Sequence, residues 1–307
     1  MPDLSFVMPV KDGASYIEEA VRSLQSQALR DWELVVVDDH SADDSAGRAA
    51  RLAASDGRIR VVANPGLGQV QAINFGYGFV RGDRLKIMDA DDLLPAGFSE
   101  AFPRLAEADA SYHDALLQDG TPGPARTLRV GPRFGNMSLA ESLRRIQVSP
   151  PRWSWTVARR VADRVFPLPA DLPSPHEDVF LGLLIKRIAR VEYVPRPLYV
   201  YRQHAGQFYG GLFNFSSPAV IRRARAMLGI IDHIGRSEIA RDVEDAAALL
   251  AASRTYFSLL GRDRLTWGDI LRARLGLAAK SRLAVIRKAP AAASRLSRRR
   301  AVRKAAP

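Results

Sequence analysis

The feature that most constrains the fold is the alternation of short apolar runs with helical periodicity over the first hundred residues. Apolar runs predict strands at residues 4–10, 32–37, 59–62 and 85–88. Amphipathic segments fill the intervals, the third of them predicted as a helix over residues 69–80. Because buried strands that alternate with helices form parallel sheets, the pattern predicts an α/β fold. Its sheet is expected to be mostly parallel and flanked by helices.

Two local signals predict where the first helices begin. Ser15, followed by Glu18, has the spacing of a capping box. Asp43 or Asp44 is expected to open the second helix, which should run to about residue 54.

The rest of the chain is less regular. Four prolines predict a loop over residues 166–176, which delivers His176, Glu177 and Asp178 to an apolar helix. Strands are predicted at residues 110–117, 153–158, 191–194 and 198–201, and helices at residues 138–146, 179–188, 218–234 and 238–260. The predicted organisation is a catalytic domain over residues 1–215, a helical region over 216–288 and a basic, disordered tail over 289–307.

The net charge of +12 belongs to the end of the chain. Asp269 is the last acidic residue, and residues 1–269 balance 33 acidic with 33 basic side chains. The body therefore lacks the overall basic charge typical of a nucleic-acid-binding domain. Residues 270–288 mix apolar and basic side chains, so we expect an interfacial helix that holds the protein against an anionic membrane. A helix packed on the body is the alternative.

Composition limits the chemistry further. The chain has no cysteine, which excludes disulfides and thiolate ligands. It has no long apolar run and no signal-like N-terminus, so we expect a cytoplasmic protein, peripheral at the inner face of the cell membrane.

Carboxylates follow three of the predicted strands. Asp12 comes after the first strand, Asp38 and Asp39 come after the second, and the sequence Asp89-Ala90-Asp91-Asp92 comes after the fourth. Ligands of open parallel sheets bind at the carboxyl ends of the strands. Several carboxylates delivered to one crevice repel one another unless a cation lies there, and Mg²⁺ or Mn²⁺ prefers such oxygen ligands.

These motifs and their order resemble the inverting glycosyltransferases of family 2, which have the GT-A fold, a Rossmann-like nucleotide-diphospho-sugar transferase fold. The resemblance covers about residues 4–205. The matching segments are Ser5-Phe6-Val7-Met8-Pro9-Val10, Val35-Val36-Val37-Asp38-Asp39-His40-Ser41, Asn64-Pro65-Gly66 with Ala72, Asn74, Gly76, Gly82 and Asp83, Met88-Asp89-Ala90-Asp91-Asp92, His176-Glu177-Asp178 and Tyr201-Arg202-Gln203-His204. The family usually has Tyr-Asn or a similar pair where this chain has Lys11-Asp12.

The resemblance implies a role for each of these residues. Asp178 would be the catalytic base that deprotonates the acceptor hydroxyl, with Glu177 as the second candidate. Asp91 and His204 would bind Mn²⁺ or Mg²⁺. The donor, most commonly a UDP-sugar in this family, would be bound by Pro9, Val10, Asp12, Asp38, Asp39, Asn74, Asp89, Ala90 and Arg202. Asp38 or Asp39 would contact the nucleobase, Asp89 the ribose and Arg202 a phosphate. The acceptor would be a surface glycan, a lipid-linked glycan or a wall polymer.

Other interpretations remain open at this stage. Glu177 and Asp178 also suit simple helix capping, and His204 suits a polar position on the surface. A sugar nucleotidyltransferase is disfavoured because no glycine-rich, basic loop follows the first strand. A receiver domain would leave Glu177 and Asp178 unexplained, whereas a non-catalytic relative of the same fold stays possible.

Overall fold

The computed structural model describes residues 1–120, 125–174, 176–204 and 217–262. Within these ranges eight strands form one sheet. The strands are β1 (Leu4–Val10), β2 (Trp32–Asp38), β3 (Ile59–Ala63), β4 (Arg84–Ile87), β5 (Ala110–Gln118), β6 (Arg126–Leu128), β7 (Trp155–Ala158) and β8 (Val191–Arg202). Their order is β3-β2-β1-β4-β7-β5-β6, and β8 pairs with β5.

The sheet is mixed, and its parallel part lies where the sequence predicts it. Strands β1 to β4 are parallel to one another, with Val10 paired to Asp38 and Val7 paired to Ile87. Strand β7 runs antiparallel to β4 and β5, and β6 runs antiparallel to β5. The in-register pairing brings the carboxyl ends of β1, β2 and β4 to one edge of the sheet.

Helices cover both faces of the sheet, as predicted. They are α1 (Ile17–Gln25), α2 (Ser45–Ser55), α3 (Gln69–Tyr77), α4 (Phe98–Ala106), α5 (Arg133–Asn136), α6 (Leu139–Arg144), α7 (Arg159–Val165), α8 (Glu177–Ile188), α9 (Ser217–Arg236), α10 (Glu238–Arg241) and α11 (Ala246–Leu260). Alternate residues of one strand enter different cores: Val35 and Val37 pack on one face of β2, and Leu34 and Val36 on the other. Burial on both faces explains why these strands are continuously apolar in sequence.

Several predicted boundaries are wrong. Helix α3 ends at Tyr77, because the chain turns there with the N–H of Val80 bonded to the carbonyl of Tyr77. The capping box is also absent: α1 begins at Ile17, its cap residue Tyr16 makes no side-chain cap bond, and the carbonyl of Gly13 accepts the first helical N–H groups.

Two further elements differ from the predicted pattern. The expected pair of late strands is the single strand β8, which follows β5 through irregularities on either side of Asp114. Tertiary pairing therefore carries the strand through Pro195 and Pro197, which locally indicate a break. The expected helix over residues 238–260 is divided into α10 and α11, because Asp245 adopts a left-handed conformation with φ 55°.

The last three helices pack on the sheet domain. Helix α9 contacts α8 and α11, and α11 contacts α6. Buried side chains of α9, among them Ile230, Ile231 and Ile234, join the same core as Leu183 of α8. The predicted boundary near residue 215 and the basic tail lie outside the described residues. In the described part, no helix combines the length and apolar character needed to cross a membrane.

Candidate active site at the carboxyl edge of the sheet

Three carboxylates converge in the turn that follows β4. Asp89, Asp91 and Asp92 each offer an oxygen, and these oxygens lie within 4.8 Å of one another. The turn is closed by the N–H of Asp92, which donates to the carbonyl of Asp89 at 3.2 Å. Asp92 is fully buried, and its Oδ2 has no partner among the described residues.

The mutual repulsion of these carboxylates is visible in their pKa values. Burial, and then the negative charge of Asp91, raise the pKa of Asp92 well above its ordinary range. The pKa of Asp89 is also raised, first by burial, although Arg152 acts in the opposite direction. A cation held by the three carboxylates would relieve both costs. The cluster therefore fits a hard divalent ion, which prefers carboxylate oxygens.

His204 lies beside this cluster. Its Nε2 is 3.1 Å from Oδ2 of Asp91, and its ring stacks on Tyr16, with 4.3 Å between the centroids. The side chain is 19% exposed, and its Nδ1 has no partner in the part of the chain that the structure describes. The structure thus brings together the two residues predicted as metal ligands.

Arg202 holds the backbone of the acidic turn. Its backbone N–H donates to Oδ1 of Asp92 at 2.8 Å, its Nε donates to the carbonyl of Asp91, and its guanidinium pairs with Glu19 of α1. These contacts position the Asp91–Asp92 turn, and the predicted bond from Arg202 to a donor phosphate stays a prediction.

Arg152 connects the acidic turn with the Glu177–Asp178 pair. Its Nη2 donates to Asp89 at 2.6 Å, and its Nη1 donates to Glu177 at 2.8 Å. Glu177 is buried, and these ion pairs raise the pKa of Arg152 against the opposing effect of its burial. An arginine in this position pairs with both carboxylates and fixes the distance between the two motifs.

Asp178 has the setting of a general base. Burial, and then the charge of Glu177, raise its pKa to about 7. The residue is partly exposed to solvent, whereas its Oδ1 is buried and has no partner among the described residues. Its backbone carbonyl accepts a bond from Ser149 at 3.2 Å, which fixes the start of α8. A carboxylate with a free oxygen and a pKa near neutrality can accept a proton from a bound hydroxyl.

The second carboxylate pair lies after β2 and has two different environments. Asp39 is buried, and its carboxylate accepts from Asn64 at 2.7 Å and from the N–H of Gly68 at 2.9 Å. Among the described residues, the side chain of Asp38 accepts only a long bond of 3.3 Å from the N–H of Ser41, and its Oδ1 has no partner. Asp39 therefore shapes the loop before α3, and Asp38 keeps an acceptor for a ligand.

The other predicted donor contacts occupy the same edge or its support. Asp12 has φ 52°, and its carboxylate accepts from the N–H of Ala42 at 2.7 Å, which joins the loops after β1 and β2. The oxygen and the amino group of the Asn74 side-chain amide bond the backbone of Leu168. Pro9, Val10 and Ala90 are buried.

Reasoning from sequence missed Arg152, Tyr16 and Tyr199. The hydroxyl of Tyr199 accepts from the N–H of Asp89 at 2.9 Å, and its ring stacks on Trp153. None of these side chains belongs to a motif. The one available signal was that Arg152 lies between apolar residues at the entrance to a predicted strand, where a charged side chain needs a buried partner.

The comparisons with known proteins agree with this geometry. The family model "Glycosyl transferase family 2" matches residues 5–122. The putative glycosyltransferase EpsH of Bacillus subtilis is 29% identical over 214 residues, which are 66% of this chain and 61% of EpsH. The chain thus spans less than two thirds of the length of this curated relative.

Solved structures share the fold at low sequence identity. TarS 1-349 of S. aureus, in complex with UDP-GlcNAc, superimposes with a TM-score of 0.60 at 17% identity, covering 94% of this chain and 79% of that one. The mannosyltransferase PcManGT of Pyrobaculum calidifontis, with GDP-Man and Mn2+, gives 0.58 at 18% identity, covering 91% and 77%. The predicted GT-A fold is confirmed.

Proposed function

We propose that this chain is a metal-dependent inverting glycosyltransferase of family 2, whose family model matches its residues 5–122. It transfers a sugar from a nucleotide-sugar to a hydroxyl group of an acceptor. The observation that carries the proposal is that Arg152 joins the acidic cluster after β4 to the Glu177–Asp178 pair. Donor-binding groups and a base thereby lie in one site.

Asp178 is the proposed catalytic base, and Glu177 positions it. In an inverting transfer the acceptor oxygen attacks the anomeric carbon as the bond to the diphosphate breaks, and the hydroxyl proton passes to a base. The free Oδ1 of Asp178 accepts that proton. Glu177 is paired with Arg152 and contributes the negative charge that helps to raise the pKa of Asp178.

Asp91 and His204, with Asp89 and Asp92, would hold Mn²⁺ or Mg²⁺. The bound ion supplies positive charge to the departing diphosphate. The chain contributes the alignment of the ligands, because Arg202 holds the backbone of Asp91 and Tyr16 stacks on His204.

The nucleotide is proposed to lie across the ends of β1 and β2. Asp38, which keeps an unpartnered oxygen, is the proposed acceptor for an N–H of the base. Asp39 would act indirectly by ordering the loop before α3. UDP is the proposed nucleotide; the solved structures of similar fold contain UDP-GlcNAc in one case and GDP-Man in another, so GDP is the first alternative to test.

Calorimetry with UDP, GDP, CDP and dTDP, each with and without Mn²⁺, tests the proposal. We expect one diphosphate to bind the wild type only in the presence of the metal. Asp91→Asn should lose this metal-dependent binding. Equal binding without metal by both proteins would contradict the metal role. An assay of sugar transfer from the matching nucleotide-sugar to a hydroxyl acceptor tests the reaction directly.

The proposed acceptor is a surface glycan, a lipid-linked glycan or a wall polymer at the cytoplasmic face of the membrane. Residues 270–288 are proposed to hold the enzyme there, although they lie outside the described residues. We expect the full chain to sediment with anionic vesicles at low salt and to be released at high salt. Replacing the basic residues beyond Asp269 by glutamine should abolish sedimentation; unchanged sedimentation would contradict the role.

A further inference from the structure

Lys86 is a buried lysine that the catalytic residues do not explain. It lies in β4, three residues before Asp89, and is 1% exposed. Its Nζ is 5.7 Å from the ring centroid of Phe98 and 5.4 Å from that of Tyr199. An ammonium group in such an apolar environment is costly unless every N–H finds an acceptor. A methionine would fill the same position without that cost, so stability alone does not account for a lysine.

The three donors of Lys86 have three acceptors. Its Nζ is 2.6 Å from the carbonyl oxygen of Trp153, 3.4 Å from that of Trp155 and 2.9 Å from Nε2 of His113. The other nitrogen of His113 lies 2.8 Å from the carbonyl of Asp114, so it carries the hydrogen and Nε2 is the acceptor. Burial, and then the charge of Lys86, lower the pKa of His113, which agrees with a neutral ring.

Two routes lead from this ammonium group to the active site. Lys86 fixes the carbonyl of Trp153, and the preceding residue is Arg152, which binds Asp89 and Glu177. Trp153 also stacks face to face on Tyr199, with 4.9 Å between centroids and 4° between planes. The hydroxyl of Tyr199 accepts from the N–H of Asp89. Both routes end at the acidic cluster.

We propose that Lys86 is a positioning residue that holds Arg152 and Tyr199 against the acidic cluster, and so sets the geometry in which the cluster binds metal and nucleotide. The inference rests on the proposed function, because it assumes that the cluster binds a metal–nucleotide complex. Lys86 acts through these two residues and does not contact the ligand.

The test compares Lys86→Met with Lys186→Met. Lys186 is a matched control, since its Nζ also donates to two carbonyls, those of Phe134 at 2.6 Å and Gly135 at 3.3 Å, and lies over the ring of Phe134. Calorimetry measures the affinity for Mn²⁺ with whichever of UDP or GDP the wild type binds, and urea unfolding is followed in parallel. We expect Lys86→Met to weaken binding about 10-fold or more, the size of effect typical of residues that orient metal ligands. Lys186→Met should leave the affinity unchanged.

Two further variants sharpen the test. Lys86→Gln keeps an N–H donor for the carbonyl of Trp153 and should lose less affinity than Lys86→Met. The double variant combines Lys86→Met with Arg152→Met. If Lys86 acts through Arg152, this double variant should bind the metal–nucleotide complex no more weakly than whichever single variant binds it less tightly. Full additivity would contradict that route.

The outcomes separate this inference from the proposed function. A wild type that binds no metal–nucleotide complex contradicts the proposed function itself. If the wild type binds and a folded Lys86→Met binds equally well, the positioning role is wrong. Failure of both Lys86 variants to fold, when Lys186→Met folds, would also overturn it, since Lys86 would then support the fold and not the site.

Discussion

At the scale of single residues, the site consists of carboxylates, and a neighbouring arginine forms ion pairs with two of them. Arg152 compensates Asp89 and Glu177, whereas Asp178 has no direct cationic partner among the described residues and keeps a raised pKa. This difference supports the proposed roles: Glu177 is paired with Arg152, whereas Asp178, whose pKa is raised to about 7, can exchange a proton near neutral pH.

We expect Asp178→Asn to abolish transfer and to leave metal-dependent nucleotide binding nearly intact. The amide cannot accept the proton, and removing a general base costs on the order of 10²-fold or more in rate. Turnover measured beside calorimetric affinity checks the prediction. Full turnover in the variant would mean that Asp178 has only a capping role at the start of the helix. Glu177 would then be the next candidate for the base.

We expect the turnover of the wild type to rise with pH through about 7, the pKa of Asp178. Above this pH the carboxylate is ionised and can accept the proton; below it the protonated form cannot. Glu177→Gln removes a negative charge that raises this pKa, so the midpoint of the profile should move to lower pH. A midpoint that stays in place, with Asp178→Asn inactive, would show that Glu177 does not set the proton affinity of the base.

Apart from Asn74, which lies within α3, the residues that sequence reasoning identified are attached to strand ends or to a helix start. Asp89, Asp91 and His204 converge because β4 and β8 end at the same edge of the sheet. Arg152 and Lys86 could not be predicted in this way, since each acts through contacts that the sheet order creates. Lys86 meets the carbonyl of Trp153 only because β4 pairs with β7.

At the scale of elements, the strands were predictable because burial on both faces makes β1 and β2 continuously apolar. Element ends depended on tertiary contacts. Pairing with β5 carries β8 through two prolines, and the left-handed Asp245 divides the helix expected over residues 238–260.

The close packing of helix α3 on the sheet gives a prediction at the scale of elements. A Cβ at Gly76 would lie 2.7 Å from Cγ2 of Val37 and from Cγ1 of Val7. The paired strands β1 and β2, which carry these valines, cannot move away from the helix. Gly76→Ala should therefore destabilise the fold by about 1–3 kcal/mol, the usual cost of overpacking. Urea unfolding measures this change. Gly235→Ala is also helical, but its added Cβ would meet no other part of the described residues within 4 Å, so it should be neutral or stabilising; equal effects of the two would contradict the packing argument.

At the scale of the whole molecule, the parallel part of the sheet followed from the alternation of strands and helices, but the role of the last helices did not. Helix α9 packs against the proline-rich loop that leads into Glu177 and Asp178. Gly229 lies against Pro173, and His233 is 3.6 Å from Asp171, two residues earlier in the same loop. The C-terminal helices therefore support the loop that leads into the proposed base, Asp178.

This support can be tested with one substitution that creates a steric clash and a second that removes it. A Cβ at Gly229 would lie 2.6 Å from Cγ of Pro173, so Gly229→Ala should push the loop and displace Asp178. We expect kcat to fall about tenfold or more, since a displacement of 1 Å can cost on the order of 10²-fold. Affinity for the metal–nucleotide complex should stay unchanged, because the acidic cluster lies in the turn after β4 and not in this loop. Pro173→Ala removes the clashing Cγ, so the double variant should recover turnover relative to Gly229→Ala. Gly235→Ala lies on the same helix, where the added Cβ meets nothing else in the part of the chain that the structure describes, so it serves as the matched control and should turn over like the wild type. Unchanged turnover in a folded Gly229→Ala, or a double variant that recovers nothing, would mean that α9 contributes to stability without positioning the base.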